Sequence, residues 1–196
     1  MENELAYIET NYDKDKTYPV TFRLPSKLVG DLKKESENLQ ISLSTFARQV
    51  FDRYVTWEKP CNEVGLIPMA RSFLKEVLRS LPDERIKKIA RNASKDTLRE
   101  LILISKGEFT LDCFIPVFNE WLRASLMAHR YEYDGRDHHY VIHHDLGRKW
   151  SLYLSELLNS IIKELTKKEP EIKVRKYSLI FHVSTSTSPK PDVYDK

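Results

Sequence analysis

The sequence predicts an α+β chain, mostly helical, in two parts. An N-terminal β-α-α unit, complete only as a dimer, precedes a helical domain that ends β-α-β. Three observations carry this. Residues 18–25 alternate apolar and polar side chains. Apolar residues at helical spacing follow along most of the chain. Runs rich in strand formers at 138–144 and 172–183 flank one long amphipathic pattern.

In the first stretch Val20, Phe22 and Leu24 alternate with Pro19, Thr21 and Arg23. That is the period-2 signature of a strand with one apolar face. Pro25 ends it and suits a helix start. Leu28, Leu32 and Leu39 then recur at helical spacing up to Gln40. After the polar break Ile41-Ser42-Leu43-Ser44, a second helix carries Phe46, Ala47, Val50, Phe51, Tyr54 and Val55 and is expected to stop before Pro60. One strand and two helices bury too little to fold alone, and the lone strand leaves backbone groups unpaired. A second copy answers both needs, with Phe22 inside the shared core. The strands' other faces then form a two-stranded ribbon, which fits the DNA major groove.

Over residues 17–58 the chain resembles the ribbon-helix-helix DNA-binding proteins of the Arc/MetJ type. The resemblance rests on Val20-Thr21-Phe22-Arg23-Leu24-Pro25, on Leu28 and Leu32, and on Ile41-Ser42-Leu43-Ser44. It implies that Thr21 and Arg23 read bases, with Pro19 in a third reading position. It implies a phosphate anchor at Leu43 and Ser44. Pro19 offers no hydrogen-bonding side chain and would read shape or a thymine methyl. Gln40 stands where the family often has glycine.

Lys59 to Gly65 reads as a linker, placed at 60–65, since Pro60 and Gly65 bracket it. The second domain is expected over 66–183. Helices are expected at 68–81, ended by Pro82, and through Ile86, Ile89 and Ala90, capped by Asp83. Another should start at Ser94 and end at Gly107. A longer one opens at Thr110 and carries Pro116 in its first turns. His138 to His144 is expected as a strand. A helix over 150–168 follows, then a last strand over 172–183 with a register change near Lys176. A crossover of that length permits a parallel pair. Residues 1–16 read as a disordered acidic leader and 184–196 as a disordered Ser/Thr/Pro-rich tail.

The 196 residues carry a net charge of +3, weak support for nucleic acid by itself. Its distribution says more. The first fifteen residues hold five acidic side chains against Lys14, whereas 16–59 hold eight basic against five acidic ones. No apolar run reaches membrane-spanning length. Cys61 and Cys113 lack metal or redox spacing and read as free thiols of a cytoplasmic protein.

His138, His139, His143 and His144, flanked by Asp137 and Asp145, invite a metal reading. Some nickel-responsive regulators resemble the chain in outline. Strand geometry argues against a simple site. His139 and His143 share a face but lie about 13 Å apart at about 3.3 Å per residue, and a metal needs nitrogens about 2 Å from one point. His143 and His144 point to opposite faces. His-x-His spacing is absent, and closure would need His129, His182 or a second chain. Asp145-Leu146-Gly147-Arg148 lacks phosphate-loop spacing. No catalytic triad or dyad stands out.

The expectation is therefore a cytoplasmic, non-enzymatic regulator of transcription that binds double-stranded DNA as a homodimer. No cofactor and no metal ligand set is assigned. The C-terminal domain would hold the dimer, join dimers into tetramers, or sense a small molecule or metal. One rival is the antitoxin half of a toxin–antitoxin pair, disfavoured by more than a hundred patterned residues after the N-terminal unit. The other is a ligand-binding protein or enzyme that uses that unit to dimerise. A closed pocket of His143, Asp145 and His182 would mark it.

Overall fold

A computed structural model describes residues 17–184. The leader expected over 1–16 lies outside them, as does the tail beyond Ser184. The chain divides into two compact units, one ending at Val50 and the other starting at Phe51.

The first unit corrects the expected β-α-α order. Residues 17–25 form no strand; the unit opens with helix α1, Ser26–Asn38. The alternation at Val20, Phe22 and Leu24 is real, but no described strand pairs with this segment. A strand exists only through hydrogen bonds to a neighbouring strand, and none of the described strands lies beside this segment. Pro25 stands at the N-cap of α1, its carbonyl accepting from Val29 N–H at 3.1 Å. The helix ends through Gln40, whose φ of 55° lies in the left-handed region. Ile41 N–H then reaches back to the Ser36 carbonyl at 3.0 Å. This is the six-to-one closure that glycine usually provides.

Helix α2, Leu43–Arg53, does not stop at a linker. It continues through a π-helical turn, Tyr54–Glu58, into α3, Lys59–Glu63. Pro60 lacks the N–H of a regular helix. In the widened turn just before it, Lys59 N–H bonds the Tyr54 carbonyl five residues back. Pro60 and Cys61 are buried, so the expected linker is part of the second unit's core.

Helices α4, Arg71–Ser80, and α5, Asp83–Ala93, follow. Ser94 does not start a new helix. It opens a second π turn, Ser94–Leu98, that runs on into α6, Arg99–Lys106. Its fully buried hydroxyl donates to the Arg91 carbonyl at 3.0 Å and lies 2.8 Å from Ser160 Oγ. Those partners occupy the group that a cap would have used. Helix α7, Leu111–Ala124, does open as expected, with Thr110 Oγ1 accepting from Cys113 N–H.

The C-terminal order is β-β-α-β-β, not β-α-β. Strands β1, Ala128–Tyr133, and β2, Asp137–His143, precede helix α8, Arg148–Thr166. Strands β3, Glu171–Val174, and β4, Ser178–Ser184, follow it. The sheet order is β1-β2-β4-β3 and every pair is antiparallel, so no parallel pair forms. What reads as one strand with a register change near Lys176 is a hairpin, closed by Arg175 N–H on the Ser178 carbonyl at 2.9 Å.

One sheet face is core. His138, Tyr140 and Ile142 of β2 stand opposite Val183, Phe181 and Leu179 of β4, all buried. Phe118 of α7 meets Tyr140 and Phe181 edge-on, with ring centroids 5.5 and 5.9 Å away. Tyr140 donates to Asn119 Oδ1 at 2.8 Å. Helix α8 contributes Leu154, Leu158, Ile161 and Ile162 to the same core. The other face carries Asp137, His139, Val141 and His143 of β2 and Ser178, Ile180 and His182 of β4, none of them fully buried.

Candidate functional site

Residues 17–25 are exposed along their whole length. Thr21 and Arg23 are both open to solvent, as is Pro19. Val20 is 69% exposed and Leu24 46%, although these are the positions expected to face a core. Phe22 is exposed as well. Leu28 of α1, Leu39 just after it and Val50 of α2 share this condition, and Ser36 is the only residue that α1 buries. Leaving this much apolar surface in water costs about 25 cal/mol for each Å² that a partner would cover. The unit thus has the side chains of a core without the core.

The phosphate-anchor positions fall in the first turn of α2. Ser42 is the cap. Its Oγ accepts from Thr45 N–H at 3.0 Å and lies 2.8 Å from Thr45 Oγ1. That leaves the backbone N–H groups of Leu43 and Ser44 at the open end of the helix, where the helix dipole favours an anion. Ser44 is exposed and Leu43 half-buried.

The histidines separate by function. His138 is buried, with Nδ1 2.8 Å from Tyr131 Oη, and burial pushes its pKa down. His144 Nε2 lies 2.8 Å from Ser151 Oγ, and burial lowers its pKa too. This His–Ser pair is no nucleophilic dyad, because Ser151 is fully buried and no carboxylate engages His144 Nδ1. His143, Asp145 and His182 do not converge. His143 pairs with Ser178, His182 with His139, and Asp145 binds Arg71 at 3.2 Å.

The register does bring His139 and His182 together. They sit directly opposite one another on β2 and β4, ring centroids 5.7 Å apart. Glu132 of β1 pairs with His139, and Glu171 of β3 with His182. A Glu-His-His-Glu row therefore crosses all four strands on the open face. His139 Nε2 lies 3.1 Å from Asp134 Oδ2 and His182 Nε2 2.9 Å from Glu171 Oε2. Asp134 Oδ1 accepts from the Arg136 and Asp137 N–H groups, which holds this carboxyl down at about 2. The sequence offered His182 as one of several residues that could close a site; pairing across strands is what makes it the neighbour of His139.

An open groove of about 480 Å³ is lined by Lys95, Arg99, Ser160, Lys163 and Glu164. Arg99 is paired with Glu164 and stacked on Phe109, and Lys163 with Glu169, so much of its positive charge is already matched. Cys61 and Cys113 are free thiols, and burial pushes Cys61 up to about 11, far from reactive range. No helix among the described residues is long and apolar enough to cross a membrane. Comparison with protein-family models, curated proteins and solved structures finds no match for this chain.

Proposed function

We propose that the protein is a cytoplasmic, sequence-specific DNA-binding regulator of transcription that acts as a homodimer. The reading rests on one observation: an exposed extended segment alternates Val20, Phe22 and Leu24 with Thr21 and Arg23, directly before two helices whose apolar face is only partly covered. A second copy covers that face when the two segments lie side by side. Thr21 and Arg23 then stand on a ribbon shared by the two chains, with Pro19 beside them. Arginine pairs bidentately with guanine, and threonine bonds a base or touches a thymine methyl. The N–H groups of Leu43 and Ser44 hold a phosphate and set the register. No catalytic step is needed.

Selection of binding sites from random duplex DNA by the purified full-length protein tests the reading. An enriched two-fold-symmetric sequence supports it. Failure to enrich any sequence, at low salt where phosphate contacts are strongest, rules it out.

A further inference from the structure

Along one strand, histidines four residues apart cannot share an ion. Across strands they can. We propose that Asp134, Asp137 and His139, closed by His182 from β4, form a binding site for a first-row divalent transition cation of the zinc, cobalt or nickel class. The proposal is independent of the DNA-binding reading, since every ligand belongs to the second unit.

The side-chain donors of Asp134, Asp137 and His139 all lie within 4.8 Å of one another. Two ligands of a tetrahedral ion stand about 3.4 Å apart when each bond is about 2.1 Å. The 3.1 Å between His139 Nε2 and Asp134 Oδ2 is already close to that spacing. Asp137 supplies a second, independent sign. Its Oδ1 is shielded from solvent and has no hydrogen-bond partner. A shielded acceptor without a donor is rare in folded proteins, and a cation satisfies it. Asp134 is fixed by the two backbone N–H groups on Oδ1, so Oδ2 can exchange its contact with His139 Nε2 for an ion between them without reorganising the turn.

His182 stands outside that 4.8 Å group, its ring centroid 5.7 Å from that of His139, and turns in to complete the set. With Nε2 on Glu171, its Nδ1 remains for the ion. A carboxylate behind a ligating imidazole fixes its tautomer and raises its basicity. Two imidazoles with two carboxylates suit zinc, cobalt or nickel better than calcium, which prefers six to eight oxygens. The ligand side chains are partly exposed, so the rotations that bring the donors to bonding distance are open to them.

The test is a cobalt(II) titration of untagged, chelator-treated, full-length protein, followed by visible absorption and zinc competition. The expected result is one equivalent per chain, with the strong bands of a tetrahedral ion that zinc abolishes. His139→Ala and His182→Ala should each weaken binding at least about tenfold. His143→Ala, on the same strand but opposite Ser178, should leave it intact. Thermal unfolding without metal should match across the three variants, and zinc should raise the midpoint only for wild type and His143→Ala. Binding that is sub-stoichiometric, or that persists unchanged in His182→Ala, overturns the proposal.

Discussion

At Arg23 and Ser44 the proposed reading separates two kinds of loss. Arg23→Ala should cost about 1–3 kcal/mol per base contact and relax preference at particular base pairs. A two-fold dimer presents the residue twice, so the total approaches double when both half-sites match. Ser44→Ala keeps the backbone N–H that holds the phosphate, so it should cost little and act on all duplexes alike, because phosphates carry no sequence information. Its salt slope should hardly change, since a neutral hydroxyl releases no counterion. Titration against the selected site and a scrambled duplex distinguishes them; an equal factor on both duplexes for Arg23→Ala would make it a backbone contact. His144 sets a stability prediction of another kind. Burial lowers its pKa, outweighing Asp145, which raises it. The unfolded chain takes up this proton near 6.5 and the folded chain resists it. The contribution is thus complete above about pH 6.5 and lost as pH falls toward the folded value. Unfolding midpoints from pH about 7.5 to about 5 should fall more steeply for wild type than for His144→Gln. A parallel pair of curves would show that His144 protonates freely in the fold.

Among the elements, those with their own periodicity were legible in the sequence. Thr110 marked the start of α7, and Leu154, Leu157, Leu158, Ile161 and Ile162 marked the buried face of α8. Three features were not legible, each for a physical reason. Pro60 and Ser94 look like breaks, but π turns absorb both. Strand β1 hides because Tyr131 and Tyr133 alternate with Arg130 and Glu132 in a short run between stronger signals. The β3–β4 turn hides because Lys176 and Tyr177 continue a strand-like composition. The histidine row was half legible: His139 was named, but strand register decides what it faces. The end of α8 gives a prediction at this scale. Lys167 has φ 60°, a conformation costing a side-chain-bearing residue about 1–2 kcal/mol. Lys167→Gly removes that cost and adds about 0.5–1 kcal/mol of backbone entropy. The net expectation is a gain of about 0.5–1 kcal/mol in denaturant unfolding; a loss would mean that Lys167 makes contacts worth more than the strain.

The molecule as a whole has one finished unit and one whose apolar side chains stay largely exposed. Val20→Asp together with Leu28→Asp places charges where the shared core would close, which is strongly unfavourable. Sedimentation should find wild type dimeric at micromolar concentration and the double variant monomeric, with the sheet of the second unit still folded by circular dichroism. A wild-type monomer with a fully structured N-terminal unit would remove the basis for the dimer. The finished unit has its own peculiarity of order. Its sheet runs β1-β2-β4-β3, so a central strand is the last of the described strands to be translated. As the chain leaves the ribosome, β1 and β2 can close into a hairpin early. The inner edge of β2 then has no neighbour until residues 178–184 emerge. During that interval Tyr140 and Ile142 lie beside an open hydrogen-bonding edge, the kind of surface that recruits other chains. A stall in synthesis just before Ser178 would therefore expose the protein to aggregation at the open edge of β2, and a holdase chaperone that binds nascent chains should engage it there.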